Sequence, residues 1–210
     1  MLSEKEKLDK LTYLGIELNQ VRDLDILMER VLECARSFVN ADAGSIYIRN
    51  KDKDTLQFTY TQNDTLQERL PAGEKLIYTT FTLPINRESM SGYVATTGQL
   101  LNVPNVYAIE PTAPYHFGKQ FDEESGYQSR SVITVPLKTR RGDILGILQI
   151  INAQDEYKKI IPFTDSDEKL MLHFASTAAV ALERAQMTRS IMLRMIRMSE
   201  MRDPKETGAH

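Results

Sequence analysis

The sequence predicts an α+β domain, with an antiparallel sheet of about six strands, helices packed around it and one long helix at its C-terminal end. Three observations carry this expectation. Apolar residues recur at three- and four-residue steps before residue 39 and again after Pro162, the period of a helix that buries one face. Between these regions, short runs rich in Val, Ile, Thr, Tyr and Phe are separated by Asn, Asp, Gly and Pro. The last helical run carries no Pro or Gly between Thr164 and Pro204, which is longer than one small sheet can cover.

The elements follow in order. Residues 4–20 place Leu8, Leu11, Leu14 or Gly15, and Leu18 on one stripe. Asp23 precedes a second helix with Leu24, Leu27, Met28, Val31, Leu32, Ala35 and Phe38 on its apolar side. Ala41 to Gly44 interrupts the pattern, and the runs 45–49 and 56–60 form a hairpin across the polar turn 50–54. Residues 81–85 supply a further strand. Ser89 or Ser91 caps a short helix through Thr97, Gly98 ends it, and residues 100–103 return to strand.

Residues 104–128 lack any periodicity, which predicts a loop of roughly 25 residues, a length usually tied to function. Tyr107, Tyr115, Phe117 and Phe121 give that loop apolar area to pack, so it is read as a lid. The runs 131–137 and 144–151 are the most apolar strands, and Gly142 lies in the turn between them. They are expected to form the central hairpin of the sheet. Thr164 or Asp165 opens the last helix, with Asp167 and Glu168 in its first turn where the helix dipole favours acids. Met171, Phe174, Ala178, Ala181, Ala185, Thr188, Met192, Met195 and Ser199 form a seam of alternating three- and four-residue steps. A helix of about 35 residues extends about 50 Å, so its distal half is expected to pair with the same helix of a second chain.

Composition narrows the function. In 210 residues, 26 Lys and Arg against 29 Asp and Glu leave a net charge of −3, which offers no basic field for nucleic acid. The apolar stretches fall far short of the ~20 residues of a membrane span, and the charged N-terminus has no apolar segment of a secretory leader behind it. One cysteine, Cys34, excludes an intramolecular disulfide framework and fits a reducing cytoplasm. Cys34 lies on the apolar stripe of the second helix and reads as a packed thiol; His116 and His173 lack metal-ligand spacing. No catalytic residue and no required cofactor are expected.

The stretch Ser91-Gly92-Tyr93-Val94-Ala95-Thr96-Thr97-Gly98, followed by Leu101-Asn102-Val103-Pro104-Asn105-Val106-Tyr107, resembles the G-x-V-A-x-T-G-x-x-x-N-I-P-D-x-Y segment of GAF domains, sensory modules related to PAS. Phe121-Asp122, then Ser125-Gly126-Tyr127-Gln128-Ser129-Arg130-Ser131-Val132-Ile133 and Val135-Pro136-Leu137, is similar to the family's D-x-x-T-G-Y-x-T-R-S-I-L-x-x-P-L core. Asn152, Phe163, Asp167 and Glu168 match the signature of the subgroup found in cyclic-nucleotide phosphodiesterases and adenylyl cyclases. The signature's basic residue, which in the family pairs with the Asp, is Ala153 here; Lys158 or Lys159 is expected to replace it.

The resemblance implies a small ligand, cGMP or cAMP, held between the short helix, the sheet and the loop. Ser91 and Gly92 would meet the phosphate at the helix N-terminus. Tyr115, Phe117 and Tyr127 would form walls, and Asp122 or Thr134 polar contacts. The tail Met201-Arg202-Asp203-Pro204-Lys205-Glu206-Thr207-Gly208-Ala209-His210 resembles the opening of an HD-GYP domain, a metal-dependent cyclic di-GMP phosphodiesterase. The expected organisation is an N-terminal helix (1–21), a GAF domain (22–185), a connector helix (186–201) and the start of the HD-GYP domain (202–210). The expected function is a regulatory ligand sensor that controls that enzyme through a homodimer of the terminal helices. The alternative is a dimerisation scaffold with a vestigial pocket.

Overall fold

A computed structural model describes the backbone of residues 4–202 and the side chains of residues 12–199. Helix α1 (Glu4–Gln20) leads into α2 (Leu24–Phe38), which Asp23 caps by accepting hydrogen bonds from the amides of Asp25 and Ile26 at 2.9 and 3.0 Å. Strands β1 (Ala41–Asn50) and β2 (Thr55–Asn63) form the expected hairpin. The small residues Ala41 to Gly44 begin β1 instead of preceding it, because α2 lies close above: a Cβ on Gly44 would sit 2.8 Å from Leu32. Helix α3 (Asp64–Glu68) and strand β3 (Thr82–Pro84) follow. Arg36 is buried, donates to the carbonyls of Ala41 and Asp42 at 3.3 and 2.8 Å, and is ion-paired with Asp64, so it ties α2 to the start of the sheet and to α3.

Helix α4 (Met90–Thr97) is capped by Ser89 and closed by Gly98 in the left-handed conformation. Then come β4 (Leu101–Val103), a single 3-10 turn (Val106–Ala108), α5 (Gln120–Ser125), β5 (Val132–Lys138), β6 (Ile144–Gln154) and β7 (Ile160–Ile161). Helix α6 (Asp165–Arg202) runs 38 residues. Asp203 to His210, where the HD-GYP resemblance falls, lie outside the described residues.

The sheet is antiparallel in the order β3-β2-β1-β6-β5-β4, and β7 pairs with the end of β6. The six strands of that path are the six expected from the sequence; among the described residues β7 adds two residues beside β6, too few to leave a sequence pattern. One expectation changes here. The centre is the pair β1 and β6, not the β5–β6 hairpin, because β1 packs along β6 on the side away from β5. Helices α1, α2 and α6 cover one face. There Leu18, Leu27, Leu32, Ile46, Ile133, Val135, Leu148, Ile150, Phe174 and Ala178 belong to one continuous apolar cluster. Leu8 and Leu11 lie outside the described side chains.

The seam of α6 divides in two. Met171, Phe174, Ala178, Ala181 and Ala185 are buried against the domain, whereas Met192 and Met195 are 54% and 61% exposed.

Candidate functional site

Strand alternation sends Val132 and Thr134 of β5, and Ile147, Gln149 and Ile151 of β6, to the face away from α2 and α6. This second face is roofed by α4 and by residues 104–131. Its apolar side chains fall into three clusters. Val94 and Ala95 of α4 meet Tyr47, Phe58 and Ile147; Met90 meets Val103, Val106 and Val132; and Tyr127 meets Ala43 and Leu66. Among these clusters the strand register lines up Thr61, Ser45, Gln149 and Thr134 across β2, β1, β6 and β5. Ser45, Gln149 and Thr134 are at most 8% exposed. A polar row of this kind is unusual in the middle of a covered sheet.

The roof is tied down at several points. Ser89 accepts from the Gly92 amide at 3.0 Å, and the His116 amide donates to the Glu88 carbonyl at 2.8 Å. The rings of Tyr93 and Tyr115 are 5.1 Å apart, and those of Tyr107 and Phe117 5.4 Å. Asp122 is buried and accepts from the Tyr107 hydroxyl, the Ser129 amide and the Ser129 hydroxyl at 2.7, 2.7 and 2.8 Å. The expected loop therefore contains two short helical turns and its own latch.

Asn152 anchors the end of this segment. Its backbone is left-handed (φ 59°), its Oδ1 accepts from the Arg130 amide at 2.7 Å, and its Nδ2 donates to the Gln128 carbonyl and the Tyr127 hydroxyl at 2.8 and 2.9 Å. Tyr127 in turn donates to Asp42 at 2.7 Å. Burial and the Asp42 carboxylate together hold the Tyr127 phenol well above the ordinary tyrosine range. Burial also pushes Tyr47 up to about 12, opposed by a smaller contribution from the Ser91 hydroxyl.

The structure therefore places the sequence-derived residues in different settings. Ser91 and Thr134 are buried, and Tyr115 and Phe117 are half-buried over the Met90–Val106 cluster. Gly92 is otherwise engaged: the space its missing Cβ leaves is taken by the Asn86 carbonyl at 2.5 Å, so the close approach there belongs to the chain itself. Asp122 has its oxygens committed to Tyr107 and Ser129, and the Tyr127 hydroxyl is committed to Asp42 and Asn152.

Phe163 is buried in the helical face, and Glu168 accepts from Asn102 of β4 at 2.8 Å. Asp167 accepts from the amide and hydroxyl of Thr164, both at 2.8 Å, closing the first turn of α6. The expected replacement of the missing tether does not form through Lys158, which pairs with Glu68 at 3.1 Å; among the described residues no ion pair involves Asp167. Ala153 is buried between Ala41 and Ile161 in the sheet.

Sequence reasoning missed Ser45, Thr61, Gln149 and Asp42. The available signal was Gln149, an amide inside the most apolar strand. Cys34 is half-buried, and burial raises its thiol to about 11. Among the described residues no group of His, Cys, Asp and Glu is arranged to hold a metal. An open groove of about 620 Å³ lined by Gly15, Asn19, Arg22 and Arg184 lies on the helical side, away from the roofed face.

A sheet sealed by helices on one face, and roofed on the other by a short helix and a latched loop, defines a small α+β module with one enclosed polar floor. The family model for the GAF domain matches residues 23–182, and the chain belongs to the GAF family. It is 26% identical over 174 residues to dual 3',5'-cyclic-AMP and -GMP phosphodiesterase 11 of Drosophila melanogaster, and 25% identical over 173 residues to cGMP-specific 3',5'-cyclic phosphodiesterase of Drosophila erecta. The alignments cover 82% and 79% of this chain but only 11% and 14% of those relatives, so the chain spans a small part of their length. The GAF domain of an Acinetobacter phosphoenolpyruvate-protein phosphotransferase superposes with a TM-score of 0.64 at 17% identity, covering 90% of this chain and 99% of that one. That likeness concerns the fold. No described helix is long and apolar enough to cross a membrane.

Proposed function

We propose that this chain is the ligand-sensing regulatory part of a larger cytoplasmic protein, and that its ligand is a cyclic nucleotide, cGMP or cAMP, held between α4, the roofed sheet face and the latched loop. The observation that carries this reading is the enclosed polar floor beneath α4, in a chain related to the phosphodiesterases named above. Ser91 and the first amides of α4 face the phosphate, Tyr115 and Phe117 form walls, and Thr134 contributes a floor contact. Gly92, Asp122 and Tyr127 hold the roof in place, as do Asn152 and, at the start of α6, Asn102 with Glu168.

The regulatory output follows from α6. Its distal half exposes Ile191, Met192, Leu193, Met195, Ile196 and Met198 at 50–61%, an apolar surface suited to the same helix of a second chain. Met192→Lys with Met195→Lys is expected to convert a dimer to a monomer in sedimentation. The partner domain beyond α6 is, on the resemblance of residues 201–210, an HD-GYP cyclic di-GMP phosphodiesterase, and the segment itself is regulatory, not catalytic.

The test is thermal unfolding with cGMP, cAMP and cyclic di-GMP, preceded by mass spectrometry for a co-purified ligand. At a hundred times Kd a ligand adds about 2.7 kcal/mol, which raises Tm by roughly 5 to 11 °C for a chain of this size. A shift with cGMP or cAMP supports the sensor. No shift and no co-purified ligand would favour the scaffold reading, which Ala153 and the engagement of Asp167 by Thr164 also favour.

A further inference from the structure

The groove on the helical side has a chemistry of its own. It opens beside a close approach of α1 and α6, where a Cβ on Gly15 would sit 3.1 Å from the Thr177 methyl. Its volume of about 620 Å³ suits a small molecule. Two arginines line it: Arg22, in the link between α1 and α2, and Arg184, in the last buried turn of α6 between Ala181 and Ala185. Both are exposed, and neither guanidinium has an ion-pair or hydrogen-bond partner among the described residues. No described Asp or Glu lines the groove with them. Of the acids beside Arg22 in the chain, Glu17 is ion-paired with Arg30 at 2.7 Å and Asp23 caps α2. Two cations thus share one groove with no acid between them, in a chain whose net charge is −3. A cleft lined by one sign of charge gathers counter-ions, and the guanidinium fork matches two oxygens of a phosphate or carboxylate at once.

We propose that this groove is a second ligand site, for a small molecule carrying two oxyanion groups, phosphate or carboxylate, one held by Arg22 and the other by Arg184. The exposed amide of Gln20, on the same wall, adds neutral donors. A ligand seated this way joins the α1–α2 link to the turn of α6 that carries Ala181 and Ala185, and so braces that turn from outside the apolar cluster. The site lies on the opposite side of the sheet from the roofed face, and it stands without the cyclic-nucleotide reading above.

The experiment is calorimetric titration of the whole chain with diphosphate, succinate and inorganic phosphate at one fixed ionic strength. It compares wild type with Arg22→Gln, Arg184→Gln and Arg140→Gln, the last an exposed arginine of the β5–β6 turn outside the groove. Each variant is checked first for an unchanged melting temperature, and Lys replaces Gln at any position where Gln perturbs folding. Wild type is expected to bind diphosphate or succinate about tenfold more tightly than inorganic phosphate, the worth of one further charge-assisted contact. Each groove substitution should remove that difference, and Arg140→Gln should leave it in place. Binding of diphosphate without succinate assigns the site to a phosphorylated ligand, and the reverse assigns it to a dicarboxylate. No binding by wild type, binding that survives both groove substitutions, or an equal loss in Arg140→Gln would each overturn the site. Equal affinity for phosphate and for both two-headed anions would overturn the bridge between the arginines. Loss of a dimer in sedimentation on either groove substitution, with no anion bound by wild type, would give the groove to a second chain and overturn the proposal as well.

Discussion

On the helical face of the sheet, Ile46, Ile133, Val135, Leu148 and Ile150 meet α2 and α6 in one unbroken apolar cluster. On the roofed face the apolar side chains part into three clusters around a polar row. Both faces are made by the same strands, and alternate residues of β5 and β6 serve each. The helical face buries area with no polar seam, which is how a small domain gains most of its stability. The roofed face gives up part of that area to polar side chains, and is held shut by specific hydrogen bonds at Asp122 and Asn152 instead of by continuous packing.

That contrast makes graded predictions. Phe174→Ala, on a fully buried ring 5.8 Å from Phe38, is expected to cost about 4 kcal/mol in denaturant unfolding, near the middle of the range for such truncations. Phe58→Ala on the roofed face should cost about 3 kcal/mol, and a larger loss there would reverse the comparison. Asn152→Ala removes three side-chain hydrogen bonds and strains a left-handed backbone, for a loss of about 3 kcal/mol. Hydrogen exchange should show the Arg130 amide newly exposed, and Asn152→Gly should recover the backbone part alone.

Asp122→Ala should be milder, about 2 kcal/mol, and local. Limited proteolysis between Ile109 and Lys119 should accelerate well before global unfolding does. If cleavage and unfolding instead move together, the roof is not a separate unit.

Alkaline pH tests the same latch. The hydrogen bond to Asp122 holds Tyr107 up to about 12, and burial holds Tyr47 up to about 12. Both values lie above the unfolded value of about 10, so the protonated phenols are the stabilised forms. Their contribution is complete below pH 10 and is lost as pH rises through 12. Tyrosinate absorbance should rise in that window together with loss of loop protection. The smallest expected effect is that Gln149→Leu leaves stability within about 1 kcal/mol of wild type or raises it, because a buried polar group is replaced by a packed apolar one.

The helical face was legible in the sequence because helix period and apolar character coincide at Leu27, Leu32, Phe174 and Ala178. Local chemistry also marked the caps Asp23, Ser89 and Gly98. The polar row was not legible beyond Thr134. Thr61, Ser45 and Gln149 meet only because β1 lies between β2 and β6, with a register shift at Ile46 and Tyr47, and no local pattern encodes either fact. Lys158 was misplaced for the same reason: its partner Glu68 lies 90 residues away in the chain. Asp122 and Tyr127 were expected as ligand contacts, and the partners that engage them instead, Ser129, Tyr107 and Asp42, were visible only after folding.

Helix α6 begins at Asp165, where Glu168 is bonded to β4 through Asn102, and runs unbroken to Arg202. At 1.5 Å per residue it is about 57 Å long, but its first half is packed on the domain as far as Ala185, so the lever is residues 186–202, an arm of about 25 Å. A tilt of about 10° where the arm leaves the domain would carry its far end about 4 Å sideways, most of a turn of helix. A small change in how Ala181 and Ala185 seat on the domain is thus geometrically enlarged at whatever the arm meets.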